Sequence, residues 1–176
     1  MTGRRTILAV GAIFLLYPAS PHAATPRMLS ATVDRVTSGD ALTAISASGD
    51  KLRVRLLGID APEIEHDQRT VQPFAKEARD YLEHLIRGGR IKLEIYGKSR
   101  QAHLLAVLWR DQLNVNVLMV AMGYAEVPQD MACEAYCREL RLAEKRARRD
   151  RMGMWEQGTS YESPAAFRRR LGIPGN

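Results

Sequence analysis

Residues 41–63 read ALTAISASGDKLRVRLLGIDAPE. Lys51–Leu57 alternates, with Leu52, Val54 and Leu56 pointing one way and Arg53 and Arg55 the other, the pattern of a half-buried strand. Ala41–Ser46 reads as its partner strand, and Ser48-Gly49-Asp50 supplies a tight turn between the two. Pro62 ends the reach of the second strand. With the turn centred on Gly49 and Asp50, Asp40 faces Ile59 or Asp60. Two carboxylates twenty residues apart thus meet at the open end of one hairpin.

Working outward, Ala31–Arg35, Ile91–Tyr96 and Leu104–Trp109 read as three further strands. Phe74, Ala78, Tyr81, Leu82 and Leu85 give Val71–Arg87 helical spacing, with Gly88-Gly89 as the stop. Val115–Met122 reads as a short apolar helix stopped by Gly123. A basic helix follows over Ala135–Arg149, with Leu140, Ala143 and Ala147 on its buried side. Five short strands with a helix after the third and more at the end predict an α+β chain, a five-stranded oligonucleotide-binding (OB-type) barrel with about three packed helices.

The chain has 176 residues, 45% of them hydrophobic and 26% charged, which argues for one globular domain and against wholesale disorder, a multi-span membrane protein or a fibrous repeat. Lys and Arg number 26 against 20 Asp and Glu, a net charge of +6 that favours a polyanionic partner. Residues 1–24 have the order of a secretory signal: Arg4 and Arg5, an apolar run from Ile7 to Tyr17, then Pro18 and small residues. That run is too short to span a bilayer, which needs about 20 residues. Export to a periplasmic or secreted, disulfide-permissive location is expected. The folded domain is expected over residues 28–157, followed by a peripheral tail at 158–176.

Close carboxylates repel and raise one another's pKa unless a cation lies between them. Hard oxygen donors without a Cys/His cluster nearby point to Ca²⁺ or Mg²⁺ ahead of zinc. Glu63 lies three residues beyond Asp60, near such an ion without having to ligate it, where a base could take a proton from water. Arg55 projects from the strand feeding the site, and its planar fork suits a phosphate. Metal, base and phosphate clamp together describe phosphodiester hydrolysis.

The string VRLLGIDAPE at Val54–Glu63 resembles the signature of the thermonuclease (staphylococcal nuclease-like) family. SGDAL upstream, and LLAVLW and MGMW downstream, fall in matching order, so the likeness covers about residues 30–156. It implies an OB barrel and a Ca²⁺-dependent phosphodiesterase acting on DNA and RNA. Matched by position, it implies Asp40 and Asp60 as carboxylate metal ligands and Ala61 as a ligand through its backbone carbonyl. Glu63 would be the general base and Arg55 the first phosphate-binding arginine.

Two departures stand out. The family's second catalytic arginine falls at His103, in the run Arg100-Gln101-Ala102-His103. His103 could protonate a leaving oxygen, and Arg100 could substitute at the phosphate. The nucleotide-stacking tyrosines of the family should lie near Gln129–Met131, where no aromatic stands. The alternative is therefore a catalytically weak nuclease-fold module that binds nucleic acid or another partner. Cys133 and Cys137 form a C-x₃-C pair read as a local disulfide. Trp109 and Trp155 read as packing residues. A monomer acting on single-stranded or locally open nucleic acid is expected.

Overall fold

The computed structural model describes residues 25–64, 71–129 and 135–173. The signal-like segment and Cys133 lie outside those residues. The chain forms β1 (Arg27–Ser38), β2 (Ala41–Ser46), β3 (Lys51–Leu56), α1 (Ala75–Leu85), β4 (Arg90–Lys98), β5 (Leu104–Arg110), a two-residue β6 (Leu113–Asn114), α2 (Val115–Ala121), α3 (Cys137–Arg149), a 3₁₀ stretch at Gly153–Ser160 and α4 (Pro164–Leu171). Neighbouring strands run in the order β3-β2-β1-β4-β5-β6, antiparallel throughout. A parallel pairing of β3 with β5 closes the first five strands into a barrel. The predicted OB-type barrel is therefore present, with four α-helices where about three were expected. Among the described residues, no helix is long and apolar enough to cross a membrane.

The alternation that identified β3 also fills the barrel. Val54 and Leu56 point inward with Leu42 and Ala44 of β2, Leu93 of β4, and Ala106 and Leu108 of β5, all essentially without solvent contact. Ala78 and Leu82 of α1 and Met119 and Val120 of α2 pack on the same core. Leu140, Ala143 and Ala147 are the buried face of α3, as their spacing predicts. Buried Asn116 ties the helices to the barrel: its Oδ1 accepts from the Leu108 N–H at 2.9 Å, and its Nδ2 donates to the Leu57 carbonyl at 2.9 Å.

Three local expectations are corrected. The hairpin between β2 and β3 turns around Ser48, not Gly49-Asp50. Ile45 pairs with Lys51 and Ala41 with Arg55, and Ser46 accepts from the Gly49 N–H at 3.0 Å. Gly49, at φ +90°, takes the left-handed position that a three-residue loop demands. The arithmetic that set Asp40 opposite Ile59 or Asp60 is thus off by a few residues. Asp40 faces Leu56, whose N–H donates to its carbonyl at 2.8 Å. Helix α1 starts at Ala75 rather than Val71, because Pro73 biases Gln72 away from helical angles and Phe74 is left-handed at φ +68°. Helix α3 starts at Cys137 rather than Ala135, behind a left-handed Tyr136.

Candidate active site

Strand β3 ends at Leu56, and the chain turns through Gly58 so that Asp60 pairs with Glu126, outside the barrel's own strands. Each backbone N–H donates to the other's carbonyl, at 2.9 and 2.8 Å. This turn, not the hairpin register, carries Asp60 back over Asp40. The two carboxylates are buried, with 2% and 5% of their residues exposed. Asp40 Oδ2 accepts from Arg55 Nη2 at 2.8 Å, and Asp60 Oδ1 lies 3.9 Å from the same nitrogen. Asp40 Oδ1 also accepts from Ser38 Oγ at 2.7 Å, and the Ala61 N–H reaches Asp40 Oδ2 at 3.4 Å. Asp40, Asp60, Ala61 and Arg55 are thus brought together.

Glu63 joins them through Gln72. Gln72 Oε1 accepts from the Glu63 N–H at 3.0 Å, and the Glu63 carbonyl accepts from the Gln72 N–H. Gln72 Nε2 donates to the Glu162 carbonyl at 2.7 Å, fixing the start of the last helix to the same loop. Helix α4 then presents Arg168, which the sequence reading placed in the peripheral tail. Its Nη1 and Nη2 donate to Asp60 Oδ1 and Oδ2 at 2.9 and 2.8 Å, and Nη1 also contacts Glu63 Oε1. Arg168 is 9% exposed and its neighbour Phe167 4%. The run Arg168–Arg170 at the end of a chain carries no local mark of burial, and Gln72 no mark of function. Only the closing of the tertiary structure reveals either.

Burial pushes the Asp60 and Glu63 carboxyls above their ordinary pKa values, in part offset by the Arg168 guanidinium. Burial works against the charge on Arg168, but Asp60 and Glu63 more than restore it. Burial also raises Glu126, which accepts the Tyr161 hydroxyl and sits near Asp60 and Glu144. Among the described residues, no group of three or more Asp, Glu, His or Cys side chains is arranged to hold a metal on its own. Asp40 and Asp60 nonetheless fit a hard divalent cation in kind. Their buried carboxylate oxygens already converge on one cationic nitrogen of Arg55, and oxygen donors of this class suit Ca²⁺ and Mg²⁺.

Beside the carboxylates opens a cleft of about 950 Å³ whose wall includes Arg55, Asp60, Arg100, Gln129, Arg148, Tyr161, Arg168 and Arg169. Arg100 therefore faces the same space as Arg55. His103 is not among the lining residues. It sits just before β5, next to the Val54–Leu104 pairing, and its Nδ1 is buried without a hydrogen-bond partner among the described residues. Burial, then Arg53 and Arg55, hold its imidazole below the usual histidine pKa. Tyr161, outside the expected Gln129–Met131 region, lines the cleft with its aromatic ring. Its hydroxyl donates to Glu126, and its ring packs on Trp155 with centroids 4.4 Å apart and planes tilted by 50°. Trp155 is buried beneath Arg148, and Trp109 packs on Tyr136. Cys137 is disulfide-bonded, while its predicted partner falls outside the described residues.

Comparison with known proteins finds relatives of the chain. A sequence profile described as "Staphylococcal nuclease homologue" matches residues 53–157. A probable endonuclease lcl3 of Pyrenophora tritici-repentis is 33% identical over 69% of this chain and 45% of its own. A thermonuclease of Staphylococcus intermedius is 28% identical over 86% of this chain and 95% of its own. Endonuclease YncB of Bacillus subtilis is 29% identical over 78% and 67%. The chain spans about half the length of the fungal relatives it matches. The sequence profile, spanning more than half of the residues, and the closed barrel together place the chain in the staphylococcal nuclease-like family.

Proposed function

We propose that this protein is an exported, monomeric phosphodiesterase that hydrolyses single-stranded or locally open DNA or RNA with Ca²⁺. The observation that carries the reading is the meeting of Asp40 and Asp60 on one nitrogen at the barrel mouth, beside a cleft walled by arginines. Asp40, Asp60 and the Ala61 carbonyl would hold the cation. A bound divalent cation supplies positive charge beside the scissile phosphate.

The rest falls to side chains of the chain itself. Arg55 and Arg100 bind the phosphodiester from the cleft wall, where guanidinium forks match phosphate oxygens. Glu63 accepts a proton from an attacking water as the water oxygen bonds to phosphorus. Its raised pKa suits that task, since a base works best when its pKa approaches the working pH. The P–O bond to the departing nucleoside then breaks, and the leaving oxygen takes a proton from solvent. Gln72 orients Glu63 by gripping its backbone.

A second reading, a nuclease-fold module that binds nucleic acid with little turnover, is favoured by His103, which stands outside the cleft and is held neutral. A fluorogenic oligonucleotide separates the two. Chelator-sensitive cleavage that Asp40→Ala abolishes, and that falls by about 10²-fold or more in Glu63→Gln, supports the enzyme. Salt-sensitive binding without cleavage in excess Ca²⁺ supports the module.

A further inference from the structure

We propose that Arg168 is a phosphate-binding residue of this site, delivered by a helix that lies beyond the profile match at residues 53–157. The inference rests on the phosphodiesterase reading and names a residue that neither the signature string nor the profile match, which ends at residue 157, contains.

Arg168 is built into position. Ser163 Oγ caps α4 by accepting from the Ala166 N–H at 3.2 Å, and Phe167 anchors the helix in the protein. Gln72 ties the preceding residue, Glu162, to the loop that carries Glu63. The guanidinium spans both oxygens of Asp60 and reaches Glu63, while lining the same cleft as Arg55 and Arg100.

A divalent cation held by Asp60 would compete with the guanidinium that now spans both oxygens of that carboxylate. With Asp60 engaged by a cation, Arg168 would lose its main partner but stay tethered by α4 at the wall of the cleft. The next anion within reach is a phosphate in that cleft, and the five N–H donors of the guanidinium suit it. Arg168 would thus exchange one anion for another, neutralising Asp60 and Glu63 in the free protein and clamping the phosphodiester in the substrate complex. A positive charge is needed there, because hydrolysis adds negative charge to the phosphoryl oxygens and the neutral His103 supplies none.

The test uses the whole protein and a fluorescent phosphorothioate oligothymidylate in saturating Ca²⁺, with circular dichroism to confirm folding. Arg168→Gln is expected to bind about tenfold more weakly and to lower the slope of log affinity against log salt by about 0.7, the loss of one contact to a single strand. Arg168→Lys keeps the charge and so the slope, but loses the fork, and turnover of a cleavable strand falls by about 10²-fold. Calorimetric titration of Ca²⁺ without oligonucleotide is expected to show tighter binding in Arg168→Gln, whose Asp60 is free. Unchanged or tighter oligonucleotide binding by Arg168→Gln, with the salt slope intact, would overturn the proposal and leave Arg168 as a plug on the carboxylates. If the wild type shows the salt-dependent, Arg168-sensitive binding but no cleavage, the hydrolase reading fails while this assignment holds.

Discussion

Asp40 and Asp60 show how a correct convergence can come from a wrong register. Their meeting was legible because both flank the β2–β3 hairpin, but the turn centre was misplaced, since SGD fits several turn frames. The bend at Gly58 and the exchange of hydrogen bonds between Asp60 and Glu126 do what the register does not. Arg168 was illegible because its partner lies 108 residues away, and no local spacing encodes such a contact. His103 presents the reverse case: its place in the sequence suggests chemistry, whereas the structure half-buries it beside Arg53 and Arg55, where burial and then the two guanidiniums disfavour an added positive charge. We expect His103→Gln to retain oligonucleotide cleavage at pH 7 within about threefold, roughly 0.6 kcal/mol in the barrier. A loss near 10²-fold would place His103 in the catalytic set.

Elements were the most readable level. Alternation and turn residues located all five barrel strands, because a strand with one buried face must repeat every second residue. Boundaries were less readable: β1 runs seven residues beyond its expected span, to Arg27 and Ser38, where pairing with β2 and β4 overrides weak local preference. The junction of α3 with the sheet depends on Glu94. Its carboxylate accepts from Tyr96 Oη at 2.7 Å, Trp109 Nε1 at 3.0 Å and Tyr136 Oη at 2.9 Å. Burial alone would raise its pKa, but these three donors bring it below the ordinary value. Its stabilisation is therefore present above the unfolded pKa, near 4.5, and is lost as pH falls through the lower folded value. Glu94→Gln should cost about 1–3 kcal/mol at pH 7. Thermal melts should show that difference shrinking in acid, and a constant difference down to pH 3 would refute it.

At the scale of the molecule, the barrel and its C-terminal segment are joined by a backbone contact with no room for a side chain. Gly123 is at φ +71°, and a Cβ there would sit 2.0 Å from the Met152 carbonyl oxygen. The Met154 N–H donates to the Gly123 carbonyl at 2.9 Å. Gly123→Ala must push apart two main chains, and a loss of about 3 kcal/mol or more is expected. A differential-scanning melt should register that as a fall of about 6–12 °C. The sequence marked Gly123 as a helix stop, but its partner strand of chain was hidden.

The Asp60–Arg168 clasp spans more of the polypeptide than any contact within the barrel. Long closures are entropically costly and tend to form late. Until that contact forms, Asp60 and Glu63 lack the Arg168 charge, and Arg55 is the guanidinium beside Asp40 and Asp60. Completion of the cleft wall then awaits the docking of a single short helix, and a proteolytic nick before that helix would take Arg168 and Arg169 out of the wall.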